Sequence, residues 1–136
     1  MIIVCSKADV KQYRDEIVCT TGREPTVYRT TIGYMQYPNL PFFNPSWDIV
    51  MAFLNGKISK QQYLMGYRDH DKGYYVPGYF AILQKNAAKC LQFVRGLRAD
   101  QDYILVCFCK EGAFCHRQVI AEKIRKHRLD LEVVTH

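Results

Sequence analysis

The chain has 136 residues, the length of one ordinary domain, with 49% hydrophobic and 24% charged residues, a balance that excludes intrinsic disorder for most of it. No run approaches the roughly 20 apolar residues that a membrane-spanning helix needs. Nineteen Lys and Arg against thirteen Asp and Glu give a net charge of +6, which favours anionic partners without selecting one.

Ile2 to Ser6 is a short apolar run and reads as a first buried strand. Asp9 to Val18 has the spacing of a weak helix, and Thr26 to Tyr34, rich in Thr, Val, Tyr and Ile, reads as a second strand. Three prolines between Tyr37 and Pro45 exclude helix and central strand, so that stretch is a loop. Ser46 caps a helix that buries Ile49, Val50, Phe53 and Leu54 and closes at Asn55-Gly56. Ser59 and Gln62 have capping-box spacing and open a further helix to about Tyr67. Asp69 to Gly78 reads as a polar loop. Phe80, Leu83, Ala87, Leu91 and Val94 then predict one long amphipathic helix from Tyr79 to Gly96.

Tyr103 to Phe108 is apolar throughout, as suits a central parallel strand covered on both faces. Cys115 or His116 opens a last helix carrying Val119, Ile120 and Ile124, and Leu131 to Thr135 supplies a last strand. This order predicts a single compact three-layer α/β domain over residues 1–136, with a mostly parallel central sheet and a helix-rich middle section.

Six cysteines would suit a disulfide scaffold in a secreted chain, but Met1–Cys5 lacks the basic run and the cleavage site of a signal peptide. The expectation is reduced thiols in the cytoplasm. Cys5, Cys19 and Cys90 read as small buried hydrophobes, and Cys107 as part of the central strand.

The chemistry concentrates between Cys109 and Arg117, where the best strand runs into a helix. That turn holds Cys109, Glu111, Gly112, Cys115, His116 and Arg117. A helix start presents unpaired N–H groups and the positive end of the dipole, and Arg117 adds a bidentate grip for phosphate or carboxylate. Cys115, beside His116 and Arg117, is expected to be more acidic than a free thiol. Glu111 reads as a tether for Arg117 or as an acid/base group. The phosphatase-loop spacing, the nucleotide P-loop, the dinucleotide turn and Cys-x-x-Cys are all absent, so no cofactor or metal is expected. Asp69-His70-Asp71 looks metal-like but reads as a solvated loop.

Cys109-x-Glu111 followed by Cys115-His116-Arg117 after a hydrophobic strand resembles the "domain of unknown function 488" family of bacteria and phages. Asn44-Pro45-Ser46-Trp47, Gly56-Lys57-Ile58-Ser59, Tyr63 and Tyr67 are similar to that family's Pro-Ser turn and Tyr-containing helix, so the resemblance spans about residues 40–125. It implies a compact α/β fold with a site at this turn, and it implies no particular reaction.

Aromatic residues, Trp47 and Tyr67 among them, crowd the middle section, and its loops bearing Tyr37-Pro38 and Gly73-Tyr-Tyr-Val-Pro-Gly78 suit stacking on a base. The leading expectation is therefore a nucleotide-like or other phosphorylated small molecule held at Arg117, Cys109, Gly112, Trp47 and Tyr67. Cys115, His116 and Glu111 are the candidates for chemistry on it, with binding and processing both open. Sequestering or degrading a signalling nucleotide is suggested by analogy alone. The alternative is nucleic-acid binding by the basic stripe Lys123–Arg128 and exposed tyrosines. A dimer is compatible with the aromatic surface, but nothing in the sequence requires one.

Overall fold

A computed structural model describes residues 1–33, 36–107 and 116–136. In chain order these form β1 (Ile2–Ser6), α1 (Val10–Thr21), β2 (Thr26–Arg29), α2 (Trp47–Leu54), α3 (Lys60–Met65) and β3 (Gly66–Asp69). There follow β4 (Tyr74–Pro77), α4 (Tyr79–Lys85), α5 (Ala87–Gly96), β5 (Tyr103–Cys107), α6 (His116–His127) and β6 (Val133–Thr135).

Four strands make a wholly parallel sheet in the order β2-β5-β1-β6, and β3 and β4 form a separate antiparallel hairpin. β1 and β5 are buried at every position, as inner strands covered on both faces must be. Their alternating side chains feed two cores. Ile3, Cys5, Ile104 and Val106 meet Val10, Tyr13 and Ile17 of α1 on one face. Ile2, Val4, Tyr103 and Leu105 meet the helix-rich middle section and Ile120, Ala121 and Ile124 of α6 on the other. The expected α/β layering is present, with the larger core on the α6 side.

Several local expectations need correction. The second strand stops at Arg29, whose guanidinium donates to the carbonyls of Thr31 and Tyr37 and folds the following chain back beside it. A one-turn 3-10 helix, Pro41–Phe43, interrupts the proline loop and drives Phe43 into the core. The Ser46 cap is present, its hydroxyl accepting from the Ile49 N–H, but Leu54 at the helix end is exposed; Ile49 and Ala52 are the buried pair.

The Ser59–Gln62 capping box forms with both reciprocal bonds, yet its helix ends at Met65 because Gly66 turns the chain with φ 97°. Tyr67 therefore lies on β3 rather than on a helix. The expected polar loop from Asp69 is the second half of a hairpin: Asp69 Oδ1 accepts from the N–H groups of Asp71 and Lys72, and Tyr74-Tyr75-Val76 pairs back. The single long helix is broken at Asn86, whose side-chain amide donates to the Ile82 carbonyl and competes with helix continuation. The break shifts the buried face to Tyr79, Leu83, Cys90 and Val94, leaving Phe80 and Ala87 exposed. Cys19 also proves exposed rather than packed.

Candidate functional site

The connection after β1 runs through α1 on one face toward β2, and the connection after β5 runs through α6 on the other face toward β6. β1 and β5 are neighbours whose connections pass over opposite faces of the sheet. Ligands of open parallel sheets bind at such a switch point. Ser6, in register with Cys107, ends β1 and is buried there.

The first turn of α6 packs against the ends of β2 and β5. His116 is 2% exposed, and its Nε2 lies 2.9 Å from the Thr30 carbonyl and 3.2 Å from the Thr30 hydroxyl. A carbonyl oxygen only accepts, so Nε2 carries the proton and Nδ1 is the basic nitrogen of the neutral ring. Burial holds the His116 pKa below its ordinary value; the Cys107 sulfur and the Thr30 carbonyl oppose that shift, and the Arg117 charge reinforces it. The Thr30 backbone N–H and hydroxyl both donate to the Val106 carbonyl, which fixes the platform under the imidazole. Tyr79 meets the ring edge-on at 5.5 Å and donates its own hydroxyl to the Phe43 carbonyl at 2.6 Å, tying the proline loop to the same corner.

Arg117 is the largest fully buried side chain among the described residues, at 0% exposure. The sequence expectation put it at a helix start facing an anion; the structure places it in the first turn of α6 with its side chain fully buried. Its Nη1 donates to the Cys107 sulfur at 3.2 Å. Cys107 lies, as expected, in the buried central strand, and as the last residue of that strand it also meets Arg117. Thr30 was missed because only tertiary pairing brings the end of β2 to His116.

The remaining candidates divide into two groups. Cys109, Glu111, Gly112 and Cys115 lie outside the described residues. Trp47 and Tyr67 do come together, but elsewhere: both line an open groove of about 610 Å³ between α2 and the hairpin, whose lining includes neither His116 nor Arg117. Trp47 is 60% exposed, and an Asp48–Lys72 ion pair at 3.1 Å ties α2 to the hairpin beside it. Asp69, His70 and Asp71 line the same groove. Among the described residues no cluster of metal-ligating side chains occurs.

The basic stripe on α6 is partly committed to the fold. Arg128 Nη1 donates to the carbonyls of Val94, Arg95 and Leu97 at 2.9, 3.2 and 2.6 Å, and its other nitrogens pair with Asp130. Arg125 donates to the Val133 carbonyl and to the Thr135 hydroxyl. Both guanidiniums are thus occupied by backbone. No helix among the described residues is long and apolar enough to cross a membrane.

Residues 2–128 match a family described as the active DUF488-N3 subclade, DUF488-N3a. The chain belongs to this family. Membership takes in β1 and β2 as well as the stretch that carried the resemblance in sequence. For this DUF488-N3 chain the carboxyl ends of β1 and β5 thus fall within the family's span. No curated protein and no solved structure matches the chain significantly.

Proposed function

We propose that this protein binds a nucleotide-like or other phosphorylated small molecule in the crevice beyond β1 and β5, and sequesters or processes it there. The observation that carries this reading is the fully buried Arg117 guanidinium in the first turn of α6, at the switch point of the parallel sheet. A guanidinium fixed in a low-dielectric wall, next to helix N–H groups, favours a phosphate over a neutral ligand. His116, held neutral with its Nδ1 lone pair as the basic position, supplies a group able to take a proton from the ligand or from water. Glu111, Cys109 and Cys115 on the preceding turn are further candidates for chemistry, and Gly112 for close approach of a ligand to backbone. The description of the subclade as active accords with processing.

The test is thermal unfolding against a panel of nucleotides and phosphorylated sugars. A true ligand at about 100 times its Kd stabilises by about 2.7 kcal/mol, a midpoint rise on the order of 10 °C. Arg117→Gln abolishes the rise and Arg125→Gln keeps it. No responding ligand, or an equal rise in Arg117→Gln, overturns the reading. Anion-exchange chromatography of the ligand after incubation then separates sequestering from processing.

A further inference from the structure

Two buried thiols, Cys90 and Cys107, play opposite hydrogen-bond roles. Cys90 Sγ donates to the Phe42 carbonyl at 3.5 Å; a carbonyl only accepts, so this sulfur keeps its proton, and burial pushes its pKa up. Cys107 Sγ accepts from Arg117 Nη1 at 3.2 Å. A guanidinium has donors only, so this contact needs no proton on sulfur and sets a full positive charge against it.

The placement of Cys107 is systematic. Tyr103 and Leu105 project to the α6 face of β5, and the two-residue repeat carries Cys107 to that face as well. There it meets the first turn of α6, whose dipole also favours an anion. Burial alone raises a thiol's pKa, whereas a neighbouring cation and a helix start lower it. The direct contact decides between them, because a charge pair interacts most strongly where the dielectric is low. Arg117 and His116, both on α6, are charged or titratable groups that face this sulfur. Cys109 and Glu111 follow on the turn outside the described residues.

We propose that Cys107 is a thiolate at neutral pH, ion-paired with Arg117, so that the sulfur and the guanidinium hold each other in place. This charge state does not depend on the function proposed above and is measured without ligand.

Thiolate absorbance at 240 nm is followed against pH for the full chain and for Cys107→Ala, and the difference isolates one sulfur. An unperturbed thiol of pKa about 8.5 is about 3% thiolate at pH 7. The expected Cys107 signal is at least half thiolate there, a rise of more than tenfold, and Arg117→Gln returns the midpoint to 8.5 or above. The Cβ chemical shift of Cys107 in labelled wild-type protein reports the same titration if either variant fails to fold. A midpoint above 7 in the wild type overturns the proposal.

Discussion

His116 illustrates how one side chain couples the site to stability. Its folded pKa lies below the ordinary 6.5 because the ring is buried, so on acidification the unfolded chain takes up the proton first. Stability contributed by this group is therefore complete well above pH 6.5 and is lost as pH falls through that value. The expected slope reaches about 1.4 kcal/mol per pH unit for one such group. Urea unfolding at pH 7.5 and 5.5 measures it, and His116→Gln should flatten the difference, since His70, His127 and His136 remain in both proteins. Asp102 acts in a different window. Burial opposes its ionisation, but the Met1 α-ammonium at 3.1 Å and Arg23 outweigh that and hold its pKa below the usual carboxylate value. Its contribution is lost only on strong acidification, well below the histidine range. Neither burial was readable beforehand: His116 and Asp102 are polar letters whose partners, Thr30 and Arg23, are set by tertiary packing.

The elements show where local chemistry overrode pattern. Gly66 and Gly78 cross at the mouth of the hairpin, where a Cβ on Gly78 would run into the Leu64 carbonyl and the Gly66 nitrogen. Gly66 adopts φ 97°, a region that L side chains rarely enter. Gly78→Ala is expected to cost about 1–3 kcal/mol in urea unfolding, and Gly22→Ala, with open space around it but φ 72°, serves as the strain-only comparison. At the other end of the molecule Arg128 satisfies the orphan carbonyls at the end of α5. Arg128→Ala should lose about 1–2 kcal/mol, and Arg128→Lys should recover little of it because an ammonium cannot span several carbonyls and Asp130 at once. The caps at Ser46 and Ser59 were legible in sequence because their signal is strictly local. The break at Asn86 was not, since the apolar spacing continues through it while one side-chain amide diverts the backbone.

At the scale of the whole molecule, two cores share one sheet, and β5 contributes neighbouring residues to each: Ile104 to the α1 side and Leu105 to the α6 side. Ile104→Ala and Leu105→Ala are each expected to cost about 2–5 kcal/mol. Both should shift one cooperative transition, with far-UV and tyrosine near-UV circular dichroism moving together. Separate transitions for the two probes would contradict a single folding unit. The parallel sheet was legible because unbroken apolar runs such as Tyr103–Val106 leave few alternatives. The candidate site was legible only as a segment. Sequence gathered Trp47 and Tyr67 with Arg117 on composition, whereas the fold assigns them to a separate groove. It placed Cys107 correctly in the buried central strand, but not against Arg117, a contact that only tertiary packing sets.

The register of β1 has a kinetic corollary. Ile2 pairs with both Tyr103 and Val133, and among the described strands β2 pairs with β5. No pairing within the sheet joins strands that follow one another in the chain, so little of it can form while residues 103–107 are still unsynthesised. The early segments must wait, and loop closure over such spans makes refolding slow relative to a helical bundle of this size. During that wait the apolar β1 run Ile2–Cys5 is an unpaired strand, the segment on which a chaperone would have most to do.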